Sequence, residues 1–128
     1  MQKQVSSGLK YTFLAHAIVA LVLGLGILLI PDTVSGWISW PLGETFFIRL
    51  AGAAILGFAA SSFWAYSAED FAQVRIVVLM EIVWTVLGTL VYLWGLLIAD
   101  PRIPSIGWVF AIILALFAVA FGYFYFRE

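Results

Sequence analysis

The chain has 128 residues, of which 65% are hydrophobic and 10% charged, with a mean hydropathy of +1.13 and a net charge of −1. A soluble domain carries about 25% charged residues, so this chain has too few to cover a water-facing surface, and lipid is the solvent that suits it. The absence of Cys excludes thiol, disulfide and Fe–S chemistry, and a single His excludes an HxxxH metal pair. No basic run is present to neutralise phosphates, so nucleic acid is not an expected partner. No metal, no cofactor and no catalytic constellation is expected.

The length corresponds to one domain, residues 1–128. A spanning helix needs about 20 apolar residues, and the first such stretch is Leu9–Ile30. It is longer than a signal-peptide core and lacks a small-x-small site before Pro31, so it reads as a retained span. Thr12, His16, Ala20 and Gly24 stand on one line at i+4 spacing, with Leu14, Ile18, Leu21 and Leu25 opposite. The segment Asp32–Leu42, with Val34, Trp37, Ile38 and Trp40, reads as a short interfacial helix.

The second span is Thr45–Tyr66. Arg49 lies about one turn inside its outer end, on the same face as a predicted packing seam of Ala53, Gly57 and Ala60. Ala53, Gly57 and Ser61 form a small-xxx-small pattern, which lets backbones approach closely. Arg49 either snorkels to the headgroups or meets Glu44, Tyr92 or Asp100 at a site for an anionic group.

The third span is Ala72–Ile98. Glu81, Thr85, Gly88, Thr89 and Tyr92 share one face, with Leu79, Val83, Val86, Leu87, Leu90 and Leu93 opposite. A carboxyl inside a bilayer costs at least ~2.5 kcal/mol, so this stripe must face other helices or water. The fourth span is Ile106–Phe126. The breaks between spans carry Pro, Gly, Ser and acidic residues. Short connections after the second and third spans make the fold class all-α, an antiparallel four-helix transmembrane bundle.

Two aromatic belts support this count. Trp37, Trp40, Trp94 and Trp108 fall at one set of helix ends, and Tyr11, Trp64, Tyr66, Tyr123 and Tyr125 at the other. Only Trp84 is near mid-span. Lys3, Lys10, Arg75 and Arg127 lie on the side of the N-terminus against Arg49 and Arg102 on the other, which predicts cytoplasmic termini in a cell membrane. The wheel points Arg75 outward as an anchor. His16 is six residues past Lys10 and Glu81 six past Arg75, so both sit about 9 Å inside one boundary, and a His–Glu contact is available. Such a pair either specifies packing or titrates functionally.

Gly26-Ile-Leu-Leu-Ile-Pro-Asp leading to Ser35-Gly36-Trp37 parallels Gly95-Leu-Leu-Ile-Ala-Asp-Pro leading to Ser105-Ile-Gly107-Trp108. The parallel reflects either a tandem two-helix unit or two helix ends meeting one interface. The run Phe47-Ile-Arg49-Leu-Ala-Gly52-Ala-Ala-Ile-Leu-Gly57, after a Gly-rich first helix ending Ile30-Pro31-Asp32, resembles that of small four-span prokaryotic membrane proteins, some described as DoxX-like. The resemblance covers nearly the whole chain and implies four spans without implying an activity. Small multidrug resistance transporters are similar in length but carry their essential Glu in the first helix, where this chain has His16. Fluoride channels use a pore Asn, and this chain contains no Asn.

The leading expectation is a binding or accessory protein whose partners are membrane lipid and either a further copy of the chain or a larger membrane complex. The alternatives are a small transporter or channel using Glu81, His16 and Arg49, and an intramembrane enzyme. The candidate ligand-binding or proton-relay residues are His16, Glu81, Thr85, Arg49 and Tyr92.

Overall fold

A computed structural model describes residues 3–99 and 103–128. Among these, the chain forms α1 (Ser7–Leu29), α2 (Pro31–Ile38), α3 (Thr45–Ser67), α4 (Phe71–Trp94), a π-helical turn over Gly95–Ala99, and α5 (Gly107–Arg127). α1, α3, α5 and α4 with most of the π-helical turn are four helices long and apolar enough to cross a membrane. Their bounds lie within about two residues of the expected spans, because apolar runs end where punctuation begins.

Local chemistry explains the ends. The Ser6 hydroxyl accepts from Leu9 N at 3.2 Å and caps α1. Pro31, with no N–H to lose, closes off α1 and opens α2. α2 stops at Ser39, whose φ of +52° is left-handed, so it ends short of the expected Leu42. Asp70 accepts from Ala72 N at 3.0 Å and starts α4 with an acidic group at its positive end.

α1 packs most extensively on α3, and α4 on α5. His16 of α1 meets Ser62 of α3, and Gly24 meets Gly52, so position rises on one helix as it falls on the other. The two helix pairs join through a core at one end formed by Leu9, Phe13, Val74, Val78 and Phe121, all buried. The Phe13 and Phe121 rings lie 5.3 Å apart across it. The same end is tied by backbone: Val5 N donates to Glu69 O, and Phe71 N donates to Lys3 O, each at 2.8 Å. Ser6 N donates to Glu128 Oε1 at 3.1 Å, so the segment before α1 and the residue after α5 meet.

The wheel for α4 holds: Val83, Val86, Leu87 and Leu90 are exposed while Glu81 and Thr85 are buried. It holds for α1, where His16, Ala20 and Gly24 are buried and Ile18, Leu21 and Leu25 exposed. The wheel for α3 is corrected. Ala53, Gly57 and Ala60 are exposed, and a Cβ on Gly57 would meet nothing within 4 Å. The buried face is instead Gly52, Ala59, Ser62 and Ala65, about one residue round the helix. A Cβ on Gly52 would stand 2.9 Å from Leu28 N and 3.0 Å from Gly24 O, and one on Gly24 3.2 Å from Gly52 O. Backbone approaches backbone there, and only glycine permits it.

Candidate functional site

Three helices deliver the polar residues to one buried point. His16 comes from the small-residue line of α1, Ser62 from the buried face of α3, and Glu81 with Trp84 from α4. His16 is 3% exposed, and Ser62 and Glu81 are both 0% exposed. His16 Nδ1 lies 2.9 Å from Ser62 Oγ, and Ser62 Oγ donates to Glu81 Oε1 at 2.9 Å. Trp84 Nε1 donates to His16 Nε2 at 3.3 Å. Glu81 Oε2 lies 3.2 Å from His16 Nε2 but is off-line for an N–H donor there, so this oxygen has no hydrogen bond of its own. The Phe117 and Phe121 rings of α5 meet the imidazole edge-on, with centroids 5.0 and 5.7 Å away. The group is thus covered by aromatic rings on the side of α5.

Of the expected site residues, His16 and Glu81 are brought together at the same depth, as their spacing from Lys10 and Arg75 implied. Thr85 is buried beside them, but its hydroxyl donates at 2.6 Å to the backbone carbonyl of Glu81, one turn earlier, and not to the carboxyl. Tyr92 lies farther along α4, where its ring packs on Trp40 and Phe110, with centroids 6.0 Å away in both cases. Arg49 stands apart. It is exposed, and its Nη1 donates at 2.7 Å to Leu28 O at the C-terminal end of α1, a carbonyl with no helical partner to accept from. Neither Glu44 nor Tyr92 engages it among the described contacts, and Asp100 and Arg102 lie outside the described residues. Arg75 is exposed and donates to Tyr125 Oη at 3.3 Å, as an anchor would.

Ser62 and Trp84 were not among the expected site residues. Ser62 adjoins Ser61, and choosing between two hydroxyls 100° apart needs the azimuth of α3. Trp84 carried a signal, being the Trp outside both aromatic belts with an N–H that needs a partner.

A cavity of about 90 Å³ adjoins the polar group. His16 and Ala20 of α1, Ile55 of α3, Trp84 and Tyr92 of α4 and Phe110 of α5 are in its wall, so all four long helices contribute. Outside it, a groove of about 490 Å³ runs along the surface between α1 and α5, past Tyr11, Thr12 and Ala15 on one side and Leu116 and Ala120 on the other. Val19, Ile113 and Phe117 line both spaces and stand between them. Among the described residues, no cluster of three potential metal ligands occurs.

The fold and site together define an all-α chain with four helices apolar enough to span a membrane and a buried carboxyl–imidazole–hydroxyl group where its two helix pairs join. No protein-family model, curated protein or solved structure matches the chain.

Proposed function

We propose that the chain is an antiparallel four-helix transmembrane bundle of a cell membrane, with both termini cytoplasmic, that binds membrane lipid as a binding or accessory protein. The observation that carries this reading is the lateral groove between α1 and α5, mostly apolar in its wall and backed by the cavity that His16 lines. A groove on the side of a spanning bundle meets acyl chains first, and van der Waals fit then determines what stays in it. The reading accords with the DoxX-like layout, which implies four spans, and leaves room for a homo-oligomer or a larger membrane complex. A small transporter is the second reading. It is favoured by the carboxyl–imidazole pair lying where the two helix pairs meet.

Lipid retention tests the first reading. Protein extracted into nanodiscs or mild detergent should carry lipid detectable by native mass spectrometry. Ala15→Phe, which fills the groove, should reduce that lipid several-fold, whereas Ala53→Phe on the exposed face of α3 should not. Equal retention by both variants would remove the groove as the binding site.

The orientation has a clean test because the chain has no Cys of its own. Single cysteines at Lys10 and Ser67 should react with an impermeant maleimide only from the cytoplasmic side. A cysteine at Trp37, exposed on α2, should react only from the other side. Labelling of Lys10→Cys and Ser67→Cys from opposite sides would dismantle the four-span arrangement.

A further inference from the structure

His16, Ser62 and Glu81 touch pairwise around a ring, through two contacts of hydrogen-bond geometry and one close approach that lies off the hydrogen-bond line. These are Nδ1 to Oγ at 2.9 Å, Oγ to Oε1 at 2.9 Å, and Oε2 to Nε2 at 3.2 Å. Each contact joins two electronegative atoms, so each needs one proton between them to be attractive. A neutral imidazole brings one proton, a hydroxyl brings one, and a carboxylate brings none. With Glu81 ionised and His16 neutral, the approach of Oε2 to Nε2 therefore sets two acceptors against each other with no proton between them. The members of the ring are buried, so bulk water cannot make up the deficit.

We infer that His16, Ser62 and Glu81 form a proton-binding site that holds one exchangeable proton on Glu81 Oε2, facing a neutral His16. The direction of the ring follows from Trp84. Its N–H donates to His16 Nε2, so Nε2 presents a lone pair and the imidazole proton sits on Nδ1. Nδ1–H then donates to Ser62 Oγ, Ser62 donates to Oε1, and the remaining proton falls on Oε2, where it shares the one Nε2 lone pair with the Trp84 N–H. Oε2 is the buried Glu81 oxygen with no partner of its own. Filled in this way, the site is electrically neutral, which suits a place where an uncompensated charge is very costly.

No second ionisable side chain within contact distance offsets the charge among the described residues. α3 presents Ser62, α5 presents the edges of Phe117 and Phe121, and α4 adds Trp84 and Thr85, whose hydroxyl turns to the backbone. Tyr92, about three turns along α4, shares the cavity that His16 lines. When the proton leaves, Oε2 and Nε2 become two acceptors facing each other across the junction of α1 with α4. Proton binding and the docking of the two helix pairs are thereby coupled. The inference does not depend on lipid occupying the groove.

The chain has a single His, so its imidazole is directly observable by ¹⁵N NMR in lipid. At neutral pH the ring should be neutral, protonated at Nδ1 and bare at Nε2. Infrared spectra should show the carbonyl stretch of a protonated carboxylic acid that is lost in Glu81→Gln. The glutamine amide can donate to Nε2 and accept from Ser62, so this variant keeps the ring without its titrating proton. On titration of the wild type, imidazole and carboxyl signals should change together as one event. Ser62→Ala, which removes two of the three contacts, should separate them. An imidazolium, an Nε2–H tautomer, or no acid band at neutral pH would overturn the inference, as would independent titration of the two groups. Should Glu81→Gln fail to fold, ¹³C side-chain carboxyl shifts of the wild type report the same protonation.

Discussion

Gly52→Leu is expected to lower the stability of the bundle by about 3 kcal/mol, the upper end of the usual cost of overpacking. The direction is set by what the new side chain would meet. Leu28 N and Gly24 O are backbone atoms at 2.9 and 3.0 Å from an added Cβ, and a helix backbone cannot rotate aside as a side chain can. Relief requires α1 and α3 to separate, and their separation would also stretch the contact between His16 and Ser62 farther along the same interface. Gly57→Leu adds the same atoms into open space on the exposed face and should leave stability within about 0.5 kcal/mol. Its better helix propensity could even raise stability slightly. Reversible unfolding in mixed micelles, following helicity, would compare the two directly. A loss for Gly57→Leu matching that for Gly52→Leu would mean that the other face of α3 is the packed one.

Glu81→Leu should cost about 1–3 kcal/mol, and Glu81→Gln less than about 1 kcal/mol. Leucine fills the volume but strands the Ser62 hydroxyl and removes the partner facing His16 Nε2, both of them buried. The figure stays modest because, within lipid, an unfolded helix also finds partners for its polar groups, so single interhelical hydrogen bonds are worth about 0.6 kcal/mol on average. An ion pair would behave differently: removing the carboxylate would leave a buried imidazolium, at about 3–5 kcal/mol. The size of the leucine effect therefore discriminates between a neutral and an ionised pair. The same unfolding measurement on Glu81→Leu, Glu81→Gln and His16→Ala, with the double variants, would resolve it. Additivity of His16→Ala and Glu81→Leu within about 0.5 kcal/mol would show that the two residues do not interact.

The four long apolar helices, their ends and the polar faces of α1 and α4 were determined by the sequence itself. Apolar runs of spanning length are set by hydrocarbon thickness. A histidine, a glutamate and threonines stand out against a background of Leu, Val and Ile, so helical periodicity alone turned His16 and Glu81 inward and placed them level. The azimuth of α3 was decided only by tertiary structure, for a physical reason. Ala51, Gly52, Ala53, Ala54, Gly57, Ala59 and Ala60 put small residues all the way round that helix. In lipid the outward face is as apolar as the inward one, so no contrast of hydrophobicity marks either. What selects Gly52 over Gly57 is that Gly24 of α1 lies opposite it, a fact of packing between residues 28 positions apart in the chain. The same rotation brings Ser62 under His16 and leaves Arg49 outside, on the end of α1.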